Sequence, residues 1–203
     1  MSSKITISPI LMLLIFGCST SSYMVDSNSS KSFNFKEFNP DSLILYHDDS
    51  KSIYSKNKML THSDVWSNSN KNIFVTQKGK IIETHGFKYN IEIPNLNLSD
   101  SFVKVLKNKQ QQLEYSVRLS DPDSGYLRGI STFTFIDEVL ATTDIRDLPF
   151  KLFLIEERFD IKSIRWSGIN YYWVDRDLDV WESRQSIHPY EKDVTYIKYP
   201  KDL

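Results

Sequence analysis

The sequence predicts a mainly β protein in which antiparallel sheets pack as a sandwich or a partly open barrel, with one short helix. Aromatic residues are abundant, with 12 Phe, 11 Tyr and 4 Trp against only 6 Gly, and aromatic side chains are enriched in strands. From about Phe33 onward, several segments carry an apolar residue at every second position, which is the period of a half-buried strand. Glycine, proline and aspartate separate these segments, as expected for tight turns.

The N-terminus carries Lys4 ahead of a seven-residue apolar run, Ile10 to Phe16. About 20 apolar residues are needed to span a bilayer, so this run is too short and instead suits the core of a secretory signal. Ile15-Phe16-Gly17-Cys18 resembles the bacterial lipobox, in which a small residue before the cysteine permits lipid transfer to the thiol and cleavage before it. We therefore predict a signal peptide at residues 1–17 and lipidation of Cys18, the only cysteine.

The segment after Cys18 is polar. Seven of the fourteen residues from 19 to 32 are serine, and such a segment cannot bury enough apolar area to offset the entropy of ordering it. We predict that residues 18–32 form the lipidated cysteine and a flexible tether, and that residues 33–203 form a single β-rich periplasmic domain. The residue after Cys18 is Ser19 and not aspartate. This resembles the pattern of lipoproteins that are sorted to the outer membrane, so we predict attachment to the periplasmic face of that membrane.

The clearest hairpin joins Asn72–Thr76 to Lys80–Thr84 through Gln77-Lys78-Gly79, where glycine is free to take positive φ. A second strand, Leu113–Leu119, alternates strictly between apolar and polar residues and is followed by turn residues at Asp121–Gly125. A long strand through Ile130–Ile136 should come next.

One helix is predicted, with Ser99 as the cap of a segment from Asp100 to Asn108. Phe102, Val103 and Leu106 would share its apolar face.

Near the C-terminus, Tyr171–Asp175 and Val180–Arg184 flank a turn at residues 176–179. Symmetric pairing would place Val174 opposite Trp181 and Trp173 opposite Glu182. Tyr172, Val174 and Trp181 would then share one face, and we expect one of the two faces to be core and the other to be partly exposed. The other face would carry Tyr171, Trp173 and Arg184. We predict these three as a sugar- or partner-binding site, because Trp, Tyr and Arg are enriched at interaction hot spots.

The remaining polar residues do not form a pattern that is typical of catalysis or metal binding. His47, His62, His85 and His188 are dispersed without metal-ligand spacing, so no metal or cofactor is predicted. No G-x-S-x-G motif is present. Glu156 and Glu157 are adjacent and would face opposite sides of a strand, unlike the carboxylate pair of a glycosidase.

Asp175-x-Asp177-x-Asp179 resembles the opening of a calcium loop. Val180 stands where the loop needs glycine, and Ser186 stands where it needs glutamate. The segment is therefore interpreted as a polar hairpin turn. The formal charge of −1 offers no bulk attraction to nucleic acid, and no nucleic-acid partner is expected.

Two segments carry a resemblance to a known family. They are Ile73–Phe87, with its strand, glycine turn and strand, and Asn170–Asp175 continued by Glu182–Ile187, Pro189 and Ile197–Pro200. With the lipobox, these resemble the YjbF and GfcB lipoproteins of exopolysaccharide and group 4 capsule operons.

The resemblance implies a non-catalytic accessory in capsule or exopolysaccharide assembly or export. One implied partner is the membrane, through the lipid anchor. The other is the polysaccharide, or an outer-membrane barrel or periplasmic export protein of the same operon. The alternative is a periplasmic enzyme that modifies the polysaccharide. Two carboxylates converging in a deep cleft would favour the enzyme, whereas a flat aromatic patch would favour binding.

Overall fold

The computed structural model describes residues 42–60, 63–94, 96, 98, 100–120, 123–143 and 146–198, with side chains described except at 58–60 and 140–150. The predicted signal peptide, Cys18 and the tether lie outside the described residues, as does His62. No helix in the described ranges is both long and apolar enough to cross a bilayer.

Twelve strands and one α-helix make up the described part of the chain. In chain order they are β1 (Ser42–His47), β2 (Ser50–Leu60), β3 (Ser63–Ser67), β4 (Ile73–Gln77), β5 (Lys80–His85), β6 (Ile91–Glu92), α1 (Ser101–Asn108), β7 (Gln110–Ser120), β8 (Asp123–Thr143), β9 (Arg146–Ile161), β10 (Trp166–Val174), β11 (Val180–Gln185) and β12 (Val194–Lys198). A single turn of 3-10 helix, Lys162–Ile164, joins β9 to β10.

The strands form a closed antiparallel barrel in which each strand pairs with its neighbours in sequence. The last strand, β12, pairs with β1 and aligns Ile44 with Ile197, which closes the barrel. The prediction of a mainly β fold with a short helix is confirmed. The predicted sandwich or partly open barrel is wrong, because pairing of the first and last strands leaves no sheet edge.

The strand connections fall at two ends of the barrel because consecutive strands run in opposite directions. The end at which β1 begins and β12 finishes is called the base, and it also carries α1 and the β10–β11 turn. The opposite end is called the rim, and it carries the β1–β2, β5–β6 and β11–β12 connections.

Large aromatic side chains fill the interior of the barrel. Tyr54, Phe74, Phe133, Tyr172 and Tyr196 are all essentially inaccessible to solvent. Helix α1 adds Phe102, whose ring centroid lies 6.1 Å from that of Phe133 and 5.6 Å from that of Tyr172. The helix contributes to one continuous core with the strands.

The helix differs from its prediction in its cap and its face. It begins at Ser101 with Asp100 at the N-cap, and no side chain caps it. Ser99 lies outside the described residues. Phe102 and Val105 are its buried apolar residues, while Val103 is only partly buried. The buried face of the helix therefore contains Phe102 and Val105, whereas the predicted face contained Phe102, Val103 and Leu106.

The predicted β4–β5 hairpin is confirmed, with Lys78 and Gly79 in the turn at φ values of 44° and 78°. Glycine is needed here for a second reason, since a Cβ on Gly79 would overlap the side chain of Val180. The predicted strand Leu113–Leu119 lies within β7, and Ile130–Ile136 lies within β8.

The β10–β11 hairpin has one irregularity that the symmetric pairing missed. Trp173 aligns with Glu182 as predicted, but Val174 aligns with Val180 because a β-bulge lies between these two pairs. A bulge places two residues of one strand opposite one of the other and changes which faces they occupy. Val180 is consequently buried and Trp181 is only partly buried. The prediction that Trp181 shares a face with Tyr172 and Val174 is wrong.

Candidate functional site

A cluster of polar side chains surrounds Glu157 inside the barrel. Glu157 is fully buried and lies within 2.6 and 2.8 Å of the Lys80 ammonium, which donates to both carboxylate oxygens. The hydroxyl groups of Ser131 and Tyr172 each donate to it at 2.5 Å. The Asn170 amide donates at 2.9 Å. Every oxygen of this carboxylate is therefore committed to a protein donor.

The surroundings of Glu157 stabilise its ionised carboxylate form. Burial alone would raise the pKa of Glu157, but the Lys80 ammonium and the hydrogen bonds from Asn170, Lys80 and Ser131 hold it below its ordinary value. Burial and the neighbouring Glu157 charge raise the pKa of the Tyr172 phenol well above its ordinary value. The cluster thus holds Glu157 as a carboxylate and Tyr172 as a neutral phenol.

Little free space adjoins this cluster. The cavity lined by Lys80 and Asn170 has a volume of about 10 Å³, which is room for about one water molecule. Glu156, the neighbour of Glu157, points outward and accepts a 2.7 Å hydrogen bond from Arg158. The two carboxylates therefore face opposite sides of β9, as the sequence predicted.

The predicted residues Tyr171, Trp173 and Arg184 come together on the outside of β10 and β11, and we call this group the hairpin face. Tyr171 aligns with Arg184, and the ring centroids of Tyr171 and Trp173 are 6.3 Å apart. Arg184 is held by Asp193, at 2.9 Å from Nε and 2.8 Å from Nη2. All three side chains are partly exposed.

Trp181 also belongs to this outer surface, which the sequence analysis did not predict. The apolar side chain of Leu152 is almost fully covered there by Val139, Trp173 and Trp181. The indole Nε1 of Trp181 donates to Asp175 Oδ2 at 2.7 Å. Trp173 of the hairpin face and the neighbouring Trp181 are therefore both partly embedded.

The Asp175–Asp179 segment is a hydrogen-bonded hairpin turn. Asp175 Oδ1 accepts 2.9 Å hydrogen bonds from the backbone N–H groups of Asp177 and Asp179. Its other oxygen accepts from Trp181. The Asp175 carboxylate therefore closes the turn, which agrees with the interpretation as a polar hairpin turn.

A pocket of about 300 Å³ opens at the rim, and we call it the rim pocket. Strand β1 contributes His47, the β1–β2 turn contributes Asp48, the β5–β6 loop contributes Phe87 and Lys88, and the β11–β12 connection contributes Glu191. His47 Nε2 lies 3.1 Å from Glu191 Oε2. This pairing is not predictable from local sequence, because the two residues are 144 positions apart.

The fold and these surfaces define a small β barrel with a filled interior, whose candidate functional groups lie on its outside and at its rim. The chain belongs to the YjbF family, whose sequence model, described as group 4 capsule polysaccharide lipoprotein GfcB, YjbF, matches residues 39–197. The family resemblance seen in the sequence is thereby confirmed.

One solved structure supports the fold. The crystal structure of the hypothetical lipoprotein YmcC from Escherichia coli K12 superimposes with a TM-score of 0.65 at 17% identity, covering 80% of this chain and 85% of that one. A search of curated proteins gives no match.

Proposed function

We propose that this protein is a lipoprotein of the outer membrane, anchored on the periplasmic face, that acts as a non-catalytic accessory in the assembly or export of capsule polysaccharide or exopolysaccharide. The observation that carries the proposal is the match of residues 39–197 to a family of capsule polysaccharide lipoproteins. Lipid on Cys18 and a tether at residues 18–32 would hold the barrel near the membrane, since fourteen coil residues reach roughly 20 Å.

The interior of the barrel supports a non-catalytic role. Its buried carboxylate, Glu157, is saturated by protein donors and adjoins a cavity of about 10 Å³. A catalytic acid or base needs access to its substrate and a proton to exchange. Glu157 therefore has the properties of a structural group.

The hairpin face is the surface that we assign to polymer or partner binding. It presents two adjacent aromatic rings, Tyr171 and Trp173, beside the Arg184 guanidinium. Aromatic rings offer large contact area at low entropic cost, and arginine donates to carboxylate and hydroxyl oxygens. Both an acidic polysaccharide and an export protein of the same operon fit this chemistry.

The test compares variants in the native host at matched protein levels. Replacing Tyr171 with Ser and Arg184 with Gln together should reduce surface polysaccharide while leaving the barrel folded, because both side chains lie on its outside. The matched control is Tyr126→Ser, which removes an exposed tyrosine from β8. Unchanged surface polysaccharide in the double variant, or an equal loss in the control, would remove the hairpin face from the proposal.

One observation favours the alternative of a polysaccharide-modifying enzyme. The carboxylates of Asp48 and Glu191 approach each other in the rim pocket. However, Asp48 is half exposed and lies 3.5 Å from the Lys192 ammonium, whereas a general acid is usually held in an apolar setting that keeps it protonated. Incubation of purified polymer with the protein should leave its chain length and substituents unchanged. A change that Glu191→Gln abolishes would establish the enzyme instead.

A further inference from the structure

We propose that His47, Asp48 and Glu191 bind one divalent metal ion in the rim pocket, with zinc as the best-fitting ion. Each residue offers one ligand atom, and these atoms lie within 4.8 Å of one another. Within the described ranges, this is the one group of three such side chains with that property. This site is independent of the proposed role in capsule assembly.

The spacing of the ligand atoms matches zinc coordination. Ligands at about 2.1 Å in a tetrahedral zinc site are roughly 3.4 Å from one another. His47 Nε2 and Glu191 Oε2 are 3.1 Å apart, which already meets this requirement. Because no two of the ligand atoms are more than 4.8 Å apart, each distance from Asp48 has to shorten by at most about 1.4 Å to reach tetrahedral spacing. Its side chain is half exposed and free to make that adjustment.

The barrel holds two of the three ligands in place. His47 is the last residue of β1, and its ring packs edge-on against Phe87 with centroids 6.3 Å apart. The side chains of His47 and Glu191 are only 20% and 11% exposed. Because both are largely enclosed, little entropy is lost when they bind an ion.

The donor set favours zinc over calcium or magnesium. Zinc accepts both imidazole nitrogen and carboxylate oxygen as ligands, whereas calcium takes six to eight oxygen ligands and magnesium keeps several waters. Three protein ligands would leave a fourth position open, and all three line the 300 Å³ rim pocket. A water molecule or a ligand oxygen can occupy that position, as in zinc sites that exchange ligands.

The surrounding charges allow the ion to bind. Lys192 lies 3.5 Å from Asp48 Oδ1 and is 73% exposed, so its ammonium can swing into solvent when a metal replaces it. Lys88 also lines the pocket, but its ammonium lies over the Tyr89 ring at 4.8 Å from the centroid. The two carboxylates supply negative charge on the ligand set, which suits a divalent cation.

The test is isothermal titration of the full-length, chelator-treated protein with zinc chloride. We expect one zinc ion per chain. Loss of a residue that only hydrogen-bonds to a zinc ligand weakens zinc binding about 10- to 100-fold. Loss of a ligand itself, in Glu191→Gln or His47→Ala, should therefore weaken zinc binding at least about tenfold. X-ray absorption of the zinc-loaded wild type should show an imidazole nitrogen and carboxylate oxygens, a readout that needs no variant.

The matched control is His85→Ala. His85 forms an exposed pair with Glu83, 2.6 Å from Nε2 to Oε1, and therefore has the same side-chain types outside the pocket. Zinc affinity should not change in this variant. Absence of stoichiometric binding, equal affinity in wild type and both site variants, an equal loss in His85→Ala, or an absorption spectrum without imidazole would each overturn the site.

Discussion

Replacing Glu157 with Gln should be among the most destabilising single changes in this barrel. The change removes the negative charge that pairs with Lys80, whose side chain is only 5% exposed, and leaves an ammonium buried without a counter-charge. Breaking a buried ion pair by removing one partner costs about 3 to 5 kcal/mol. Domains have a total free energy of unfolding of about 5 to 15 kcal/mol, so the loss would be a large part of the total.

Urea denaturation followed by circular dichroism measures this loss. Glu156→Gln is the matched control, because Glu156 occupies the adjacent position on the outer face and pairs with the largely exposed Arg158. Although the Glu156 side chain is only 13% exposed, the cation that its loss would leave unpaired is 67% exposed, so the loss should stay near the range of about 0 to 1 kcal/mol that is typical of surface pairs. Adding Lys80→Met to Glu157→Gln should restore part of the lost stability, because no unpaired charge then remains. Equal effects of the two glutamate changes, or simple additivity in the double variant, would refute this interpretation of the cluster.

The same pair predicts how stability depends on pH. The pKa of Glu157 is lower in the folded protein than its ordinary value, so the unfolded chain binds the proton more tightly. Its contribution is complete above the ordinary carboxyl pKa of about 4.3 and is lost as pH falls through the folded value. The stability difference between wild type and Glu157→Gln should therefore shrink below about pH 4. A difference that stays constant on acidification would contradict the assignment.

Three further changes test other parts of the molecule. Gly79→Ala should lower the free energy of unfolding, measured by urea denaturation, by at least about 1 kcal/mol, because the new Cβ would sit at positive φ and overlap the Val180 side chain. Trp181→Phe should keep the contact with the outer apolar cluster but lose the hydrogen bond to Asp175, costing about 1 kcal/mol; a loss above about 3 kcal/mol would place this ring in the core. Cys18→Ser should leave a longer precursor that takes up no radiolabelled palmitate, and equal labelling of the variant would exclude this anchor.

Local patterns in the sequence predicted the hairpins well. The β4–β5 hairpin was found because alternation and a glycine turn are encoded within a few residues. Tyr171, Trp173 and Arg184 were correctly placed on one face because the strand period holds up to the alignment of Trp173 with Glu182. Trp181 lies at the bulge, where β11 has one extra residue. Because side chains alternate between the two faces of a strand, one extra residue moves Trp181 to the face opposite the predicted one.

Long-range pairings could not be predicted in this way. Closure of the barrel depends on the alignment of Ile44 with Ile197, at opposite ends of the described chain. The rim pocket similarly depends on His47 meeting Glu191. In the sequence, Glu157 is only one of two adjacent glutamates, and its partner Lys80 lies 77 positions away. A single sequence carries no local signal for such contacts.

The most direct test of the role in polysaccharide assembly is to delete the gene in its host and to measure both the location and the chemistry of the polymer. Cells without the protein should carry less polysaccharide at the surface, and whatever polymer they make should have the same sugar composition, linkages and substituents as in wild type. Complementation with the wild-type chain should restore the surface polymer. Full surface polysaccharide in the deletion strain would contradict a role in assembly or export, and a polymer of altered structure would show that the protein modifies it chemically.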